Sequence, residues 1–283
     1  MPITVSGIDY TFDTRLPTGA DRSYQYLLIK TLIGSSALTY RGKQLRQIVN
    51  YSVLPQSTRT KRGRDAFADF LRRFGVDLNE REFIRKTIPL NRNFYQDILI
   101  EFSHYFLQTH RNCHAAAFTH LYRLLERIAF SAPLLYCRSS SDYYGTFDDL
   151  KTLFAGNDKT GEMGFLKKFV AQGKFIDAVL LDFVYRLDFS SYTDKTLHWS
   201  SLSNHFNGFT TKDIATHQFD IRFRDICSLT TTIRNRFFHS RTGDGQNNIS
   251  IQSLGDPNDF FSEINKVASS FIAMLSLHCA AQA

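Results

Sequence analysis

The chain has 283 residues and a mass of 32.6 kDa, enough for one large domain or two modest ones. Apolar residues make up 43% and charged residues 22%, which excludes general disorder. The 26 Phe and 13 Tyr can supply an aromatic-rich core. No stretch is expected to serve as a membrane span of ~18 uncharged apolar residues. The opening Met1-Pro2-Ile3-Thr4-Val5 lacks the charged-then-apolar pattern of a signal peptide. The expected compartment is the cytoplasm, with no membrane partner.

Cys113, Cys137, Cys227 and Cys279 stand far apart, so no disulfide scaffold is expected. Cys113-His114 and His278-Cys279 offer four possible ligands. Neighbours on a helix point about 100° apart and meet poorly at one ion. No metal and no other cofactor is expected. The net charge is +7 and unevenly placed: residues 1–90 hold fifteen Lys and Arg against eight Asp and Glu, and residues 91–283 hold nineteen of each. A positive first third suits an anionic partner, with nucleic acid the usual candidate, or forms a solvated basic surface.

In chain order, Ile3, Val5, Ile8, Tyr10 and Phe12 alternate around Ser6-Gly7 and predict a small hairpin. Helical spacing follows over 24–32 and 44–53. Residues 58–64, Thr-Arg-Thr-Lys-Arg-Gly-Arg, form a basic loop in which Arg59, Lys61, Arg62 and Arg64 suit phosphate contacts or simple solvation. It leads into a helix over 65–74 closed by Gly75, then one over 79–87 ended by Pro89. The boundary of an N-terminal region is placed near residue 90. Long helices are expected over 94–109 and 115–135, and parts of shorter ones over 165–170 and 175–187. Residues 188–208 read as a long polar loop, functional or mobile, with His198, Trp199 and His205. Thr210-Thr211-Lys212-Asp213 predicts a capping box opening a helix. Its stripe is Phe219, Phe223, Ile226, Thr230, Ile233 and Phe237. After a Gly- and Asn-rich loop over 241–248, Asp256-Pro257 opens the last helix as N-cap and N1 proline.

Late in the clearest stripe stands Arg234-Asn235-Arg236-Phe237-Phe238-His239. With Ile233 at 0° on a helical wheel, the apolar stripe spans about 0–80°, Asn235 falls near 200° and His239 near 240°. Asn235 and His239 share a face turned from the core; Arg234, near 100°, can reach round to it. Histidine exchanges protons near neutral pH. Arginine offers a planar fork to a phosphate and to the charge that grows on it. RNA brings its own nucleophile, the 2′-OH, so this pair suffices for cleavage without metal. A solvated helix end with a capping histidine is the plainer account of the same residues.

Arg-Asn-x-x-x-His late in a helical bundle resembles the signature of the HEPN superfamily: Arg, a polar residue directly after it, and His after four to six intervening residues. The resemblance covers roughly residues 93–283. It implies a mainly α fold, a HEPN-like four- to five-helix bundle over 91–283; the smaller basic region over 1–90, read from its own pattern as a short hairpin plus helices, carries no such resemblance. The resemblance also implies homodimerisation, a composite cleft, and a metal-independent endoribonuclease leaving a 2′,3′-cyclic phosphate. A toxin–antitoxin or anti-phage defence setting, with an antitoxin or defence partner protein, follows from the same likeness. Carried over, Arg234 holds the phosphate, Asn235 supports it and His239 is the acid/base. Apart from the resemblance, Arg59, Lys61, Arg62, Arg64, Arg236 and Arg241 are expected RNA contacts. Nucleotidyltransferase-linked HEPN toxins carry a Tyr two residues after the His. Arg241 stands there instead, which speaks against AMPylation control. The alternative function is a non-catalytic helical RNA- or protein-binding module. Glu126 is either a partner of this site or an exposed glutamate. His104, His110, His114 and His120 read as packing or surface residues.

Overall fold

The computed structural model describes residues 3–12, 16–45, 47–54, 66–154, 161–173, 176–238 and 248–282. Mainly helical, it carries two small antiparallel sheets among the described residues. It divides into two compact units, Met1–Cys113 with Ile272–Ala283, and His114–Phe271.

In the first unit, β1 (Ile3–Val5), β2 (Ile8–Phe12), β3 (Ser36–Tyr40) and β4 (Lys43–Leu45) form a meander in sequence order. The expected hairpin is β1–β2, with Val5 opposite Ile8. Ile8, Tyr10 and Leu38 are fully buried on one face of the sheet, the period-two pattern of a half-covered sheet. Helix α1 (Tyr24–Leu32) lies between β2 and β3, and α2 (Ala66–Arg73), α3 (Glu80–Thr87) and α4 (Arg92–His110) follow the sheet. The Ser23 side chain caps α1 through the Tyr26 N–H. Asn79 and Glu82 form a reciprocal capping box at α3. Gly75, at φ 67°, ends α2: the Val76 N–H bonds Leu71 O and the Gly75 N–H bonds Arg72 O, a Schellman closure.

The unit ends after Cys113, not near residue 90, because α4 packs along α1 and Ser103 of α4 is hydrogen-bonded to Tyr10 of β2. The C-terminal end of α12 (Pro257–Ala281) belongs to it too. A helix end leaves carbonyls without partners. Here Gln25 Nε2 donates to Ala280 O at 2.6 Å and Tyr95 Oη to Cys279 O at 3.0 Å.

The second unit contains α5 (His114–Ser139), α6 (Tyr143–Phe154), α7 (Gly161–Ala171), α8 (Ala178–Leu181), α9 (Lys195–His205), α10 (Phe223–Phe237), α11 (Ile251–Leu254) and the first part of α12. A sheet of order β5-β7-β6 joins them: β5 (Val184–Asp188), β6 (Thr211–Asp213) and β7 (Gln218–Arg222). Asp256 caps α12 through the Asn258 N–H, as its Asp-Pro opening suggests.

Four expectations are corrected. Residues 47–53 are not helical: Gln47 Nε2 bonds the carbonyls of Thr31 and Val49, and Asn50 Oδ1 takes the Ser52 N–H and Oγ–H. Such side-chain bonds compete with a helix ladder. Within 175–187 the described helix is Ala178–Leu181, and β5 follows, because Tyr185 and Leu187 point inward and Arg186 outward. The expected loop over 188–208 contains α9, whose buried residues are only His198, Ser201 and Leu202, too narrow a stripe to show as periodicity. The capping box at Thr210 does not form. Thr210 instead bonds Asp220 O, and Asp213 closes a turn through Ala215 and Thr216. Phe219 therefore belongs to β7, and its helix starts at Phe223.

His198 is fully buried. Its ring packs against Phe189, Tyr192 and Phe260, and its Nε2 lies 3.1 Å from Asp256 O. It is a core histidine. Burial lowers its pKa, against smaller opposing pulls from Asp256, Asp194 and Asp259; burial also lowers those of His114 and His205. The unfolded chain then binds more protons below the ordinary imidazole value of about 6.5. Folding stability is therefore full above that pH and is lost as pH falls below it. The urea midpoint is expected to drop from pH 7 to pH 5, and to drop less in His198→Gln. An equal drop in both proteins would contradict this account of His198.

Candidate functional site

Helix α10 leaves β7 without a loop, and the Phe223 N–H bonds Phe183 O at 2.9 Å. Phe223, Ile226, Cys227, Thr230 and Ile233 point into the core. Thr230 and Thr231 return their hydroxyls to the carbonyls four residues back. Burial pushes the Cys227 thiol up to about 12, so it is no nucleophile. The candidate side chains Arg234 and Asn235 lie at the other end of the helix and on its rim.

There Arg234 stands half-buried against α5. Its Cζ lies 4.7 Å from the centroid of the Tyr122 ring, a cation–π contact. Its Nη2 is 3.9 Å from Glu126 Oε1, and its Nη1 donates to Asn235 Oδ1 at 3.0 Å. Tyr122 and Glu126 are one helical turn apart, so α5 presents a ring and a carboxylate to the same guanidinium. The Tyr122 hydroxyl is held above its usual pKa chiefly by burial, against the pull of Arg234. Asn235 is exposed, away from the core as its wheel position requires. A guanidinium has five N–H donors. Asn235 takes one and the Glu126 contact is long, which leaves donors for an incoming anion.

Phe238 holds the chain just past the helix. Its N–H bonds Arg234 O at 3.0 Å, and its ring stacks on Phe118 at 6.0 Å and packs on Phe261 at 5.8 Å. Arg236 accepts the Ile249 N–H on its carbonyl. Its charge reaches His205, whose pKa is lowered mainly by burial and secondarily by Arg236. His239, Arg241, Arg59, Lys61, Arg62 and Arg64 lie outside the described residues.

The sequence placed Arg234 and Asn235 together and weighed Glu126 as a partner; the structure puts Glu126 beside Arg234. Sequence reasoning missed Tyr122. Its signal is the four-residue step to Glu126, beside the buried stripe of Phe118, Leu121, Leu125 and Ile128. His110 and His114 lie on separate helices, since Asn112 at φ 56° breaks the chain between them. Among the described residues no group of three His, Cys, Asp or Glu side chains could hold a metal ion.

Arg234→Ala is expected to cost less than about 2 kcal/mol of stability. An exposed cation–π contact is worth about 0.5–1 kcal/mol and a half-exposed ion pair roughly 0–1 kcal/mol. Urea unfolding checks this; a loss of about 3 kcal/mol would mark Arg234 as a structural charge. Comparisons with family models, with curated proteins and with solved structures find no match for this chain.

Proposed function

We propose that this protein is a metal-independent endoribonuclease whose second unit is a HEPN-like helical bundle, and that it acts as a homodimer. The observation that carries the reading is the poise of Arg234, held on the Tyr122 ring and beside Glu126 with Asn235 as its neighbour. Side chains supplying this positive charge can bind a phosphate and neutralise charge as it grows in the transition state.

In the reaction, the ribose 2′-oxygen attacks the adjacent phosphorus as its proton passes to a base. The bond from phosphorus to the 5′-oxygen breaks, and that oxygen takes a proton. The products are a 2′,3′-cyclic phosphate and a 5′-hydroxyl. Arg234 holds the phosphate, Asn235 orients the Arg234 fork, and His239 exchanges the protons. Tyr122 and Glu126 fix the guanidinium. Arg236, Arg241 and the 58–64 segment provide further contacts to RNA.

Self-association is supported by a run of exposed large apolar side chains on α5 and α6: Phe130, Leu134, Tyr143, Tyr144 and Phe147. At ~150–250 Å² per aromatic side chain they offer several hundred Å² of surface, near the ~800 Å² per partner of a stable interface. Phe130 is one turn beyond Glu126, so the patch borders the site. A cytoplasmic ribonuclease of this kind suits a toxin or an anti-phage effector restrained by a partner protein.

Purified protein is expected to cut total RNA in EDTA, and Arg234→Ala or His239→Ala to lower the rate by about 10²–10³. Expression of the parent should slow cell growth, with either substitution relieving it. RNA retained without a cut product would favour the binding-module alternative; cutting that survives His239→Ala would reject the mechanism. Sedimentation should give a dimer that Tyr144→Asp with Phe147→Asp converts to a monomer. A monomeric parent would remove the homodimer.

A further inference from the structure

The first unit carries a cationic cluster that the cleavage site does not use. Pairings of Val5 with Ile8, Ile8 with Tyr40 and Tyr40 with Lys43 bring the two hairpin turns, Ser6-Gly7 and Arg41-Gly42, side by side at one end of the sheet. Tyr40 and Lys43 are paired directly, so their side chains share a face. The Arg41 Cζ lies 5.2 Å from the Tyr40 ring centroid, and so does the Cζ of Arg111, at the end of α4. Two guanidiniums thus converge on one ring with an ammonium beside them.

Among the described residues no carboxylate lies within ion-pair distance of Arg41, Lys43 or Arg111. The nearest acidic residue in the pairing, Asp9, is opposite Thr39, on the other face of the sheet, and takes a hydrogen bond from Thr4 Oγ1. Arg41 also sits at φ 49° and Gly42 at φ 76°. A two-residue turn of this kind favours Asn or Gly at its first position. An arginine there is strained, and strain kept at an exposed position points to a use.

We propose that this end of the sheet, through Arg41, Lys43 and Arg111, binds the sugar–phosphate backbone of RNA. Guanidinium forks match phosphate oxygens in pairs, and the chain's positive excess lies wholly within residues 1–90. The choice of RNA as the polyanion rests on the ribonuclease reading; cleavage itself is not needed.

The probe is a single-stranded 2′-O-methyl RNA oligonucleotide, which lacks the attacking hydroxyl and stays intact on the full-length protein. Arg41→Gly relieves the turn, so its melting temperature should equal or exceed the parent's while its affinity falls about fivefold at 0.1 M salt. The salt slope should drop by about one for Arg41→Gly and by about two for Arg41→Gly with Arg111→Ala. Opposite signs for stability and binding exclude a folding defect. Unchanged affinity and slope in the double variant overturn the proposal. So does competition by polyglutamate equal to that by RNA, which would mark an acidic-protein site, or a parent that fails to bind the probe at about 50 mM salt. If ordinary RNA is cut but the double variant binds normally, the Arg234 reading survives alone. If binding falls but nothing is cut, only the sheet-end proposal survives.

Discussion

One interaction sets the candidate site: a guanidinium kept at the protein surface on the face of a tyrosine. Helices α5 and α10 are neighbours, and their contact could have been closed by apolar side chains throughout. At its rim, Tyr122 and Glu126 meet Arg234 instead. A ring holds a cation without neutralising it. The carboxylate at 3.9 Å is too distant for a strong hydrogen bond. The arginine is thus oriented but not consumed, the state that a phosphate-binding group needs before its ligand arrives.

The surrounding fold makes that orientation firm. Phe223 to Ile233 anchor one face of α10 in the core, and Phe238 fixes the chain beyond it against Phe118 and Phe261. The direct passage from β7 into α10 leaves little freedom at the other end. The first unit is built differently, as a four-stranded meander with helices that cap the last carbonyls of α12. Arg41, Lys43 and Arg111 gather at its hairpin turns, where the task we propose is binding rather than bond breaking.

Helices with a broad apolar face and clear caps were legible from sequence: α1, α3, α4, α5 and α12 lie close to where periodicity, Asn79 and Asp256-Pro257 place them. The second sheet was not. β5 is five residues long and follows a short apolar helix, so its alternation merges with helical spacing. Helix α9 hides because Lys195 to His205 bury only a thin line of residues. In the site, Arg234, Asn235 and Glu126 could be named from the chain, since wheel position reports which way a side chain points. Tyr122 was missed: its four-residue step to Glu126 marks the shared face, but an aromatic beside a buried stripe reads as core until the contact of α5 with α10 shows the guanidinium on its ring.

The most direct test of the central claim is the chemistry of the cut. RNA incubated with the protein in EDTA should yield fragments ending in a 2′,3′-cyclic phosphate and beginning with a 5′-hydroxyl, and a single 2′-deoxy substitution at the scissile nucleotide should abolish that cut. Ends bearing a 3′-hydroxyl and a 5′-phosphate, or unimpaired cutting at the 2′-deoxy position, would contradict an arginine–histidine site that borrows its nucleophile from the ribose.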